Sequence, residues 1–109
     1  MSECKVETAL EILTGKWKPK ILFQLLNHKT MRFNELMRMI PGVTQRMLTQ
    51  HLRELEEQDI VTRTVYAEVP PKVEYSMSDY GSTLVPVLQT MDEWGRKHAE
   101  HIQKRNETN

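Results

Sequence analysis

The spacing of apolar positions predicts four short helices, then a change of period, then one long helix. Val6, Ala9, Leu10 and Leu13 recur at helical intervals and Gly15 follows as a stop, which gives a first helix over 5–14. Trp17, Ile21, Leu22, Leu25 and Leu26 form the stripe of a second helix over 17–28. Pro19 falls in its first turn, where the missing amide has no partner to lose. Met31-Arg32-Phe33 is long enough only for a single strand rung. Phe33, Leu36, Met37 and Ile40 then mark a third helix over 33–40. Pro41-Gly42-Val43 reads as a turn, and Thr44 is a good N-cap for a fourth helix from 45 to about 58.

From 60 to 66 the period becomes two. Val61, Arg63 and Val65 alternate with Thr62, Thr64 and Tyr66, and Val73, Tyr75 and Met77 resume the alternation after Ala67-Glu68-Val69-Pro70-Pro71. This predicts a β-hairpin with a five-residue loop. Ser78 is placed to cap a last helix running toward 105, with Leu84, Val87, Leu88, Met91, Trp94 and Ile102 as its stripe. Pro86 must kink that helix or mark a late start. Two short apolar helices joined by a glycine-containing turn are the helix-turn-helix pattern, here about 33–58. The expected fold is therefore mainly α with a small β-hairpin wing at about 60–77, a winged helix-turn-helix over a single domain, 1–109.

The charge balance adds a location. Fifteen basic and fifteen acidic residues cancel over 109 positions. Yet Lys16–Arg53 holds eight basic side chains against Glu35 alone, a net +7, whereas 54–109 is −5 and 1–15 is −2. A basic segment within a neutral chain suits a surface that meets polyanions. With hydrophobic residues at 39%, no run of 18 apolar residues and no signal-like N-terminus, the expectation is a globular cytoplasmic protein without membrane contact. One cysteine forms no internal disulfide.

On the fourth helix Leu48, Leu52 and Leu55 fall within about 60 degrees of one another, and Arg46, Gln50 and Arg53 fall on the opposite side with Thr49 on their flank. Arginine and glutamine match the paired hydrogen-bonding groups of guanine and adenine in the major groove. Thr44 and Gln45, at the start of the same helix, join them as DNA-contact candidates. Arg63 and Lys72 on the hairpin are placed for flanking backbone or minor groove, while Val61, Val65 and Val73 are expected to close the core. Arg32 and Asn34, beside the first helix of the pair, are candidate phosphate contacts, followed by Lys16 and Lys18.

Several stretches carry a family likeness. Gly15-Lys16-Trp17-Lys18, Arg32-Phe33-Asn34-Glu35-Leu36, Pro41-Gly42-Val43-Thr44-Gln45-Arg46-Met47-Leu48-Thr49, Leu52-Arg53-Glu54-Leu55 and Val69-Pro70-Pro71-Lys72-Val73-Glu74-Tyr75-Ser76 resemble the HxlR family of bacterial regulators, in register from Cys4 to Gly95. The resemblance implies a homodimer that binds pseudo-palindromic double-stranded promoter DNA as a repressor or activator, repression being the expected sign. It implies that the second helix of the pair enters the major groove and that the terminal helices, about 4–14 and 79–105, make the dimer contact. The chain departs from the family at Lys5, often proline, and at Thr14, often glycine.

Cys4 precedes the first helix, whose N-terminal partial charge and neighbouring Lys5 favour a thiolate, while Glu3 and Glu7 oppose it. It is a candidate sensor of oxidants or electrophiles, as the resemblance also implies, and any other effector is unidentified. Leu84, Leu88, Met91, Trp94 and Ile102 are the candidate dimer seam, with packing of Leu84 and Leu88 onto the domain's own core as the alternative. His98 and His101 stand three apart, but two imidazoles without further ligands make no convincing metal site, and His28 and His51 are isolated. No phosphate loop, nucleophile elbow or zinc-protease helix is present, so neither an enzyme nor a cofactor is expected. The competing reading is a winged-helix protein-interaction module, which predicts an acidic or apolar face where Arg46, Gln50 and Arg53 stand.

Overall fold

The structure is a computed structural model and describes residues 4–108. Its elements run α1 (Val6–Leu13), α2 (Lys18–Asn27), α3 (Phe33–Met39), α4 (Gln45–Glu57), β1 (Val61–Tyr66), β2 (Lys72–Met77), a 3₁₀ turn (Gly81–Leu84) and α5 (Val85–Glu107). The predicted order is reproduced, with ends displaced by a residue or two except at α5, which begins only at Val85 after the 3₁₀ turn. Ile21, Leu22, Leu36, Ile40, Leu48, Leu52 and Leu55 are wholly buried and make the centre of the core. Each comes from the apolar stripe of α2, α3 or α4, or from the residue that ends α3.

The rung at Met31 forms. Met31 and Tyr75 exchange backbone hydrogen bonds of 2.9 and 2.8 Å, adding one rung to the antiparallel β1–β2 hairpin. Gly42 takes φ +89 in the turn before α4, a left-handed conformation that L side chains avoid. Asp59 takes φ +64 where α4 ends, and the Ile60 amide beyond it returns to the Leu55 carbonyl at 2.9 Å.

Of the α1 stripe only Leu13 is buried, and Val6 and Leu10 are exposed. Ser78 does not cap α5. Its hydroxyl accepts from the Gly81 amide at 2.8 Å and donates to the Asp59 carbonyl at 2.6 Å, so it fixes the 3₁₀ turn against the end of α4. Pro86 stands in the first turn of α5 and makes a late start, not a kink.

The hairpin also departs from expectation. The register pairs Val61 with Met77, Arg63 with Tyr75 and Val65 with Val73, so all six share one face. Val61 is buried in the core at the base, but Val65 is 53% exposed. Six residues of strand reach about 20 Å, further than the core beneath them extends, so the wing runs off its support. Val65 and Val73 pair with each other near the tip and do not close the core.

Candidate nucleic-acid interface

Thr44 begins the site. Its hydroxyl accepts from the Met47 amide at 3.1 Å and satisfies one of the open donors of the first turn of α4. Burial of Leu48, Leu52 and Leu55 fixes the rotation of the helix. The opposite face then presents Gln45, Arg46, Thr49, Gln50 and Arg53, which line an open hollow of about 570 Å³. No acidic residue occupies the first turn of α4, so the positive end of the helix dipole adds to the arginines.

A second hollow of about 340 Å³ continues from the first and shares Thr49 and Arg53 with it. Leu52, Glu56, Arg63 and Tyr75 complete its walls. Arg63 therefore faces α4 across a crevice, which follows from its sharing a hairpin face with Val61 beyond the edge of the core. On α3 a third hollow of about 380 Å³ is lined by Arg32, Asn34, Glu35 and Arg38. Glu35 reaches back to accept from the Arg32 amide at 2.8 Å, which leaves the exposed Arg32 side chain at the helix entry. Arg38 was not singled out from the sequence, although it stands four residues after Asn34 and thus one turn away on the same face.

The predicted contacts do not form one continuous patch. Lys72 pairs with Tyr66 on the other face of the hairpin; its ammonium lies 4.9 Å over the Tyr66 ring and 3.9 Å from Glu74 Oε1. The Tyr66 hydroxyl holds the Glu74 carboxyl below its usual range against the opposing effect of desolvation, with Thr30, Lys72 and Arg32 adding to it. Lys72 thus presents its charge beside a carboxylate, away from the α4 face.

Lys18 is also drawn elsewhere. Its Nζ lies 2.9 Å from Glu54 Oε2, and its side chain is 17% exposed, so an ion pair between α2 and α4 replaces the expected phosphate contact. Gln50 Nε2 donates to the other oxygen of Glu54 at 3.2 Å, and His51 Nδ1 lies 3.5 Å from Oε2. Lys18 first, then Gln50, lowers the Glu54 pKa to about 2. No spacing along the chain indicates this pairing, because its two ends lie on different elements. Lys16 and Lys20 instead flank the buried Trp17, their ammonium groups 4.9 and 5.2 Å from its ring centroid.

At the other end of the molecule Cys4 is exposed and free, just before α1. On α5, Leu88 is buried in the domain's own core and Leu84 packs against it, which leaves Met91 and Trp94 exposed and Ile102 half-buried. His98 stacks on Trp94 at 4.9 Å with His101 beyond it at 6.5 Å, and no group of three metal-ligating side chains forms among the described residues. No helix among them is long and apolar enough to cross a membrane.

This arrangement has close counterparts. The uncharacterised HTH-type transcriptional regulator YdeP of Bacillus subtilis (strain 168) is 50% identical over 101 residues, covering 93% of this chain and 78% of that protein. An uncharacterised HTH-type transcriptional regulator of Methanothermobacter thermautotrophicus is 44% identical over 104 residues, covering 95% and 79%. The redox regulator HypR in its reduced form superposes with a TM-score of 0.86 at 44% identity, covering 93% of this chain and 99% of that one. These relatives are regulators, not enzymes, and they support a DNA-binding regulatory role. The HxlR-like helix-turn-helix family matches residues 12–103, most of the chain, and the protein belongs to that family.

Proposed function

We propose that the protein is a homodimeric transcriptional repressor that reads a two-fold symmetric promoter site with one α4 from each protomer. The observation that carries this reading is the α4 face, where Gln45, Arg46, Thr49, Gln50 and Arg53 stand exposed around one hollow that continues to Arg63 on the wing. Arg46 and Arg53 are the base readers, since guanidinium matches the edge of guanine. Arg32, Asn34 and Arg38 bind phosphate on one side and Arg63 on the other, which sets the helix in register. Lys72 meets the flanking backbone from the outer face of the wing. The exposed outer sides of α1 and α5, with Val6, Leu10, Met91 and Trp94, form the contact between protomers, and the reading helices then sit about 34 Å apart or at a multiple of that.

Cys4 is the sensor in this reading. It is exposed at the start of α1, within the proposed dimer contact, and the similar protein HypR is a redox regulator. Modification there alters the dimer and thereby the spacing of the two reading helices.

The deciding experiment is selection from genomic fragments by the reduced protein, with excess random DNA at physiological salt. One enriched, roughly symmetric site is expected. Arg46→Ala should then weaken that site by roughly 1–3 kcal/mol while changing random DNA little. No enrichment, with only weak salt-labile binding, refutes sequence-specific reading and favours a protein partner for the basic face.

A further inference from the structure

Glu54 does more than tie α4 to α2. It stands four residues after Gln50, one turn further along the helix, and its two oxygens have different partners. Oε2 takes Lys18 Nζ at 2.9 Å, and Oε1 accepts from Gln50 Nε2 at 3.2 Å. His51 Nδ1 also lies on the Oε2 side, at 3.5 Å, so Oε1 is left to Gln50.

This division settles which way the Gln50 amide points. A glutamine amide on an open surface can present either end, because its oxygen and nitrogen are nearly the same in shape. An ionised carboxylate, however, only accepts hydrogen bonds, so the end that meets Glu54 has to be the NH2 group. Turning the amide over would set oxygen against oxygen. Lys18 keeps the carboxylate in place and, with Gln50, lowers its pKa to about 2, so near neutrality it carries no proton to donate.

Gln50 is exposed and lines the α4 hollow together with Arg46 and Arg53. One of its N–H groups is bound by Glu54, while the other N–H and Oε1 take no bond among the described residues. One donor and one acceptor therefore remain, in an order that cannot be reversed. Adenine offers the matching pair in the major groove, an amine donor at N6 and an acceptor at N7. Guanine offers two acceptors there, N7 and O6, and would meet the fixed oxygen with another oxygen.

We propose that Glu54, anchored by Lys18, sets the orientation of the Gln50 amide and thereby makes Gln50 a reader of adenine beside the two arginines. Gln50 touches the base; Glu54 and Lys18 are positioning residues that act through it. The inference rests on the reading of α4 as the major-groove helix and adds a base identity to it.

The test measures binding of the full chain to the selected promoter site and to every single-base substitution of it, at physiological salt and well below each variant's thermal midpoint. Preferences are taken as ratios to the parent site, so the uniform gain from removing one negative charge cancels. One position in each half-site should favour adenine over guanine about tenfold, and Gln50→Ala should flatten that position. Glu54→Gln, whose amide accommodates either end of Gln50, should reduce the preference to about two- or threefold while the remaining positions keep theirs. Lys18→Met, which leaves the carboxylate charged but unheld, should fall between the two, and Lys18→Arg should restore the wild-type ratio. A preference that survives Glu54→Gln at full strength overturns the proposal. So does a loss spread evenly over all positions, which marks a displaced helix and not a turned amide, and so does a Gln50→Ala profile with no single altered position. Absence of any enriched site is a different result: it fails the reading of α4 itself, and the proposal with it.

Discussion

Replacing Glu54 by glutamine removes the charge that ties α4 to α2 while keeping the shape of the side chain. The carboxyl is held at about 2 instead of 4.5, first by Lys18 and then by Gln50. Fully realised, that difference corresponds to about 3.4 kcal/mol of preference for the folded state. The Glu54 side chain is 37% exposed, however, and water and salt screen the pair, so about 1 kcal/mol is the expected contribution. For a chain of this size that amounts to roughly 4 °C in thermal midpoint. The pH dependence has a definite sign. The folded-state value lies below the unfolded one, so the stabilisation is complete above the unfolded value of 4.5 and is lost as pH falls toward 2. Urea unfolding of the wild type and Glu54→Gln across this range should give midpoints that differ near neutrality and converge in acid. Equal midpoints near neutrality, or a gap that persists unchanged into acid, would refute the assignment of the ion pair as the link between these helices.

Other expectations can be checked with single substitutions. A Cβ at Gly81 would stand 2.0 Å from the Ile60 carbonyl oxygen and 2.9 Å from its carbon, both backbone atoms, so Gly81→Ala should cost at least about 1–3 kcal/mol in urea unfolding. Gly95→Ala, where nothing lies within 4 Å, is the control and should not destabilise. Lys72→Ala should weaken specific and random DNA alike and lower the salt slope by about 0.9; a loss confined to the selected site would make Lys72 a base reader. Cys4→Ser should bind the selected site as the wild type does but no longer release it on treatment with oxidants or quinones, and unchanged release removes Cys4 from the mechanism.

Much of this was legible in the chain because it rests on periodicity. The Leu48, Leu52 and Leu55 stripe fixes which side of α4 is buried, and that alone places Arg46, Gln50 and Arg53 outward. The hairpin and its five-residue loop follow from the change of period and from β-branched composition. What escaped the sequence depends on where one element stops supporting another. Alternation puts Val61, Arg63 and Val65 on one face, but only the finished packing shows that the core ends between the first and last of them. The pairing of Lys18 with Glu54 and the lock of Ser78 onto Asp59 join residues with no local relation, so no spacing rule announces them. On α5 the same stripe serves two purposes: Leu88 goes into the core, and Trp94 does not.

That division of α5 has a thermodynamic consequence. The helix has 23 residues, about 34 Å of length, yet only Leu88 near its start is buried. Among the described residues beyond Asp92, Ile102 alone is even half-covered. A free helical segment of that length is marginal in water, because propagation barely repays the cost of nucleation. The distal turns therefore belong energetically to whatever they rest against and not to the domain that precedes them. Their amides should exchange with solvent long before those of α4, and dilution should speed that exchange if a second protomer is what holds them. The end of α5 then acts as a gauge of protomer concentration, its order rising as subunits become abundant.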